Sequence, residues 1–132
     1  MNGQISYLNT DLDLVSSEDL RPLAAALEAG HVRPLHVTQG EDGLWYSILE
    51  TDHQYTEPEP NIAAMLDVVE SLSAPLDSLW ARCTRRDFNV GYDCGQEPWA
   101  FNQGISASVL GRMAAAGGSL RVTLYPDRDV KP

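Results

Sequence analysis

The chain has 132 residues, of which 43% are apolar, with three tryptophans and a formal charge of −10; this is the size of one ordinary domain with enough apolar content to bury a core, which excludes an unstructured chain. No apolar run is long enough to cross a bilayer as a helix, and an acidic chain repels phosphate backbones and anionic headgroups, so neither membrane nor nucleic acid is expected as a partner. The opening MNGQISYLNTD has no basic residue and no continuous apolar stretch, so no secretory signal is expected and the cytoplasm is the expected location.

Ile5 to Val15 reads as extended. Ile5 and Tyr7 share one parity while Leu12 and Leu14 share the other, so a bulge or bend is expected near Asn9 to Asp11. Ser16 and Ser17 precede EDLRPLAAALEAG, where Leu20, Leu23, Ala24 and Leu27 fall at helical spacing. A serine cap, acidic residues in the first turn and a stop at Gly30 are expected there, and Pro22 is tolerable close to the start. Val32 to Thr38 and LWYSILET are expected to be antiparallel neighbours joined through QGEDG. The polar, proline-punctuated DHQYTEPEP leads to a helix starting near Asn61, with Ile62, Met65, Leu66 and Val69 on its apolar stripe. Ser73-Ala74-Pro75 breaks that helix, and a shorter one places Leu76, Leu79, Trp80 and Cys83 on one face. Phe88, Val90 and Tyr92 alternate as a strand, Trp99 to Ile105 as another; ISASVLGRMAAAGG then reads as a helix and SLRVTLY as the last strand, with residues 127–132 a short tail. The sum is a single α+β domain over 1–132, with a mainly antiparallel sheet and helices packed on one face.

An internal echo supports that layout. SEDLRPLAAALEAGHVRPL and SASVLGRMAAAGGSLRVTL both run from serine through an apolar pair and an alanine run to a glycine, then through arginine into a strand. The echo reads either as a duplicated helix-strand unit or as convergence of alanine-rich helices. In both cases one sheet face can accept both helices.

GYDCGQEPWAFNQG has the look of a site. As a hairpin, its best register pairs Tyr92 with Phe101, Val90 with Gln103 and Phe88 with Ile105, which gathers the apolar residues on one face and leaves Gly95 to Pro98 as the turn. The opposite face is then small and polar. Glycine within a strand weakens it unless something approaches closely, so Asn89, Gly91, Asp93, Asn102 and Gly104, joined by Tyr125, are the candidate contacts for a ligand or a partner. Catalytic grammar is missing. Asp93 and Glu97 disfavour a thiolate at Cys94, the spacing of Cys83 and Cys94 is not that of a zinc site, and His31, His36 and His53 form no ligand pair. Asp11, Asp13, Glu18 and Asp19 surround the expected first strand-helix junction without a calcium-loop pattern, and Glu57 and Glu59 alternate with prolines in a loop. Phosphate-loop, dinucleotide and nucleophile-elbow motifs are likewise missing from the sequence. No catalytic residue, metal or cofactor is expected.

The segment FNVGYDCGQEPWAFNQGISASVLGRMAAAGGSLRVTLYP resembles a bacterial family grouped as a domain of unknown function, through Phe88, Gly91, Leu110, Ala114, Gly117, Ser119, Leu120 and Tyr125. The resemblance covers about a third of the chain and is a packing pattern. It implies a bacterial α+β domain and transfers no functional residue. The expected function is therefore a noncatalytic acidic interaction protein of the bacterial cytosol, in the class of immunity proteins or antitoxins, with a basic protein partner. The alternative is a small-molecule binding protein or enzyme with a pocket over the polar face of the 88–105 hairpin. A homodimer through an exposed strand edge is also compatible with the sequence.

Overall fold

In the computed structural model, which describes residues 3–126, the alternation of the first strand sets the layers. β1 (Ser6–Ser16) turns Thr10, Leu12 and Leu14 into the core, where they are at most 1% exposed, and so turns Asn9, Asp11 and Asp13 to the other side. The register shifts between Tyr7 and Asn9. This bulge at Leu8 lies just before the expected position, and it returns Tyr7 to the core side.

The sheet order is β2-β3-β1-β4-β5, with β2 at Val32–Gln39, β3 at Trp45–Thr51, β4 at Arg85–Asp93 and β5 at Ser119–Tyr125. β1 lies antiparallel between β3 and β4, and β2 pairs antiparallel with β3 through the expected connection. Only the β4–β5 pair is parallel. The helices are α1 (Arg21–Ala29), α2 (Pro58–Glu70), α3 (Leu76–Arg82) and α4 (Ala107–Ala115). Leu23 and Leu27 of α1, Ile62, Met65 and Leu66 of α2, Trp80 of α3 and Met113 of α4 form one cluster with Leu12, Leu14, Leu49, Phe88 and Val90 of the sheet. The α+β class, the mainly antiparallel sheet and the packing of helices on one face are as the sequence predicts. The two echoing units, α1–β2 and α4–β5, end in the two edge strands.

Asn61 joins the layers. It is 2% exposed; its Oδ1 accepts from the Tyr7 hydroxyl (2.7 Å) and the Thr10 N–H (3.1 Å), and its Nδ2 donates to Thr51 Oγ1 (2.9 Å). Arg86 does the same for the far end. Its guanidinium donates to the carbonyls of Trp80, Ala81 and Cys83 at the end of α3 and to that of Gly117 after α4, satisfying groups that a helix terminus leaves open.

Four expectations are corrected. Residues 99–105 form no strand: β4 already has β1 on one edge and β5 on the other, so the expected hairpin partner has no edge to occupy. Instead the segment returns over the sheet end, where Phe101 packs edge-on against Tyr92 at 5.9 Å and Gln96 and Glu97 donate their N–H groups to the Gly3 carbonyl. Trp99, which shares the apolar parity of Phe101 in the expected strand, is 98% exposed. α1 begins at Arg21 with no side-chain cap and no acid in its first turn; Asp19 instead accepts the N–H and guanidinium of Arg21, and Glu18 pairs with Arg82. α2 starts at Pro58, before Asn61, because proline is well placed in a first turn. The expected tail at 127–132 lies outside the described residues.

Replacing Asn61 by leucine strands the buried Thr10 N–H and leaves the Tyr7 hydroxyl with Thr10 Oγ1 alone. Urea unfolding is expected to show a loss of about 2–3 kcal/mol. A loss under about 0.5 kcal/mol would mean that the anchor is dispensable.

Candidate functional site

Helices cover one side of the sheet; the opposite side holds a polar network that crosses all the strands. Arg33 of β2 donates to Glu50 Oε1 of β3 (2.6 Å), and Asn9 of β1 donates to Glu50 Oε2 (3.2 Å) and to Asp11 Oδ1 (3.0 Å). Farther along, Thr123 of β5 donates to Asn89 Oδ1 (2.7 Å) and Asn89 donates to Asp13 Oδ2 (3.3 Å). Arg121 Nε lies 3.0 Å and Arg85 Nε 3.6 Å from Asp87 Oδ2. The register explains the grouping: Asp11 stands opposite Asn89, and Asp13 stands opposite Asp87 on one side and Ile48 on the other.

The acids of this face are unequal. Glu50 and Asp87 have arginine partners. Among the described residues neither Asp11 nor Asp13 makes a direct ion pair, and Asp13 Oδ1 is buried without a hydrogen-bond partner. Burial, followed by the Asp13 carboxylate and then Glu50, holds Asp11 above its ordinary pKa, against the Asn9 hydrogen bond. Burial likewise raises Asp13, with Asp87 adding to it, while the Asn89 hydrogen bond and the more distant Arg121 and Arg85 oppose the shift. Each carboxylate is held by an asparagine amide with acceptor capacity to spare. Chemically, this is a seat for a cation: a lysine or arginine brought here would meet charges already separated from water.

The sequence-predicted contacts divide. Asn89, Gly91 and Tyr125 lie on this face with Asn9 and Thr123, and Asp93 ends β4 opposite Ser6 and Tyr125. Asn102 and Gly104 do not join them; they are exposed in the segment that forms no strand. The open space expected over Gly91 is filled, since a Cβ there would meet the Tyr125 ring at 3.5 Å and the Asn9 carbonyl at 3.6 Å. Two clefts are lined by none of the sequence-predicted contacts. One of about 450 Å³ lies between Tyr92, Phe101, Val122 and Leu124, and one of about 340 Å³ is lined by Asn9, Arg33, Glu50 and His53. Cys83 is packed under α3, and burial lifts its thiol to about 11. Among the described residues no group of histidines, cysteines and acids is placed to hold a metal ion. In the sequence Asp11 and Asp13 stand among the acids around the first strand-helix junction, with no pattern of their own. The signal that places them here is the parity of Leu12 and Leu14, which obliges the residues between them to face the other way. The chain matches no protein-family model, no curated protein and no solved structure.

Three variants check this geometry by urea unfolding. A carboxyl whose pKa is higher in the folded chain than in the unfolded one adds to stability below its unfolded value, about 3.9 for aspartate, and that contribution is lost as pH rises through the folded value. The double substitution Asp11→Asn/Asp13→Asn is therefore expected to raise the urea midpoint at pH 7, by a margin that shrinks towards pH 4; a margin independent of pH would contradict it. Gly91→Ala makes only ordinary contacts and should change stability by less than about 1 kcal/mol. Gly118→Ala would set a methyl 2.5 Å from the buried Phe88 ring and should cost about 1–3 kcal/mol in the same assay.

Proposed function

We propose that the protein is a noncatalytic interaction protein of the bacterial cytosol, of the immunity or antitoxin kind, which receives a basic segment of a partner protein on the helix-free face of its sheet. One observation carries this reading: among the described residues the half-buried Asp11 and Asp13 stand side by side without a direct ion pair, in a network that otherwise pairs its acids with arginines. Leaving two such carboxylates together costs stability, and an incoming guanidinium or ammonium group offsets that cost. The formal charge of −10 steers a basic partner towards the chain before contact. The bacterial setting belongs to the proposal and rests on the sequence resemblance of the C-terminal third alone.

The test is a pull-down from native lysate followed by mass spectrometry and titration of the recovered protein. A basic protein is expected, its affinity falling tenfold or more between about 50 and 200 mM salt. Asp11→Lys/Asp13→Lys should weaken binding at least a hundredfold, the range for removing one side of a buried charge pair. Binding indifferent to salt and to this reversal would refute the proposal. So would recovery of no protein together with thermal stabilisation by a small metabolite.

A further inference from the structure

Among the described residues the sheet has two outer edges, and the chain treats them differently. β2 is defended: Pro34 lacks a backbone donor, and the register skips Leu35 between Pro34 and His36, breaking the ladder. β5 has none of these devices. Over Ser119–Tyr125 it runs in unbroken register beside β4, with no proline, no bulge and no acid. Its one charged residue, Arg121, is paired to Asp87 within its own sheet. Leu120, Val122 and Leu124 are 45%, 55% and 62% exposed along this edge. A long, flat, apolar edge with open backbone donors and acceptors is a template for another strand.

We propose that this edge pairs with itself, and that two copies of the chain associate through β5 about a two-fold axis to form a continuous ten-stranded sheet. The row is symmetric about its centre. With the axis through Val122, antiparallel pairing sets Val122 opposite its own copy and Leu120 opposite Leu124, so each apolar side chain meets an apolar one, as an isologous contact requires. On the other side Arg121 faces Thr123 of the second copy, and no like charges stand directly opposed. Charge selects the same strip, because two chains of −10 repel over most of their surface and β5 is a stretch without acids. The apolar cleft of about 450 Å³ between Tyr92, Phe101, Val122 and Leu124 opens at this edge, and Leu120 of the second copy covers its mouth. A foreign strand would use the same backbone groups, but nothing in it would be bound to match the spacing of this row.

Sedimentation equilibrium of the full chain should show the average mass rising from 14.5 kDa towards twice that value between about 1 and 200 μM. Val122→Lys, which sets two ammonium groups opposite each other, should return it to the monomer at every concentration. In a Cys94→Ser background, Val122→Cys should form an intermolecular disulfide on mild oxidation, and Leu35→Cys on the defended edge should not. This pair decides the matter even if the lysine variant fails to fold. A chain monomeric throughout, a dimer that survives Val122→Lys, or cross-linking at position 35 in place of 122 overturns the proposal. Asp11→Lys/Asp13→Lys should dimerise like the wild type, which separates this result from that of the partner-binding test.

Discussion

The structure depends on the period of two in Asp11-Leu12-Asp13-Leu14, set on the strand that lies between the others. Side chains on a strand alternate, so two leucines can enter the core only if two aspartates leave it. A slip of one residue would bury both carboxylates and expose both leucines, at several kcal/mol for each buried charge. That penalty fixes the register of β1, and through it the register of β3 and β4 on its two sides. The bulge at Leu8 lets the same strand satisfy a second demand, since it returns Tyr7 to the core side within reach of Asn61.

From this register the two faces acquire opposite characters. The helix side is closed by leucine, valine and aromatic packing and tied at two points, by Asn61 near the start of α2 and by Arg86 at the ends of α3 and α4. The other side is stitched by amides and carboxylates whose hydrogen bonds run from strand to strand. Among the described residues its acids are matched by arginines at the margins and make no direct ion pair at the centre. On the proposed reading, binding specificity comes from placing the partner's cations in register with the strands, because the carboxylates themselves are held in position by their asparagine neighbours.

Sequence periodicity revealed most of the elements and much less of the site. The stripes Leu20–Leu23–Leu27 and Ile62–Met65–Leu66–Val69 were legible because a helix face must repeat, and every one of these residues is buried. The segment 99–105 misled because alternating apolar residues suit a strand only where an edge is open, and edge availability is decided by the distant β1 and β5. Arg86 was hidden for a related reason: its partners are backbone carbonyls, which leave no trace in residue identity. Of the candidate contacts, Asn89, Gly91 and Tyr125 reached one face through strand parity alone, while Asn102 and Gly104 depended on the hairpin and were lost with it. The carboxylates of β1 were overlooked through their proximity to a helix, although the strand pattern around them already fixed their side.

The place of β1 also governs how the chain assembles. It is the earliest strand in the sequence yet stands third in the sheet, and its second edge is sealed only by β4, more than seventy residues later. Local closure can bring β2 and β3 together early, whereas completing the middle of the sheet must wait for a loop spanning most of the polypeptide to close. Until then the leucines of β1 have lost water on one flank only, and the half-built sheet carries an open seam at its centre. Formation of this fold is therefore governed by long-range closure, and its N-terminal half has no finished core of its own.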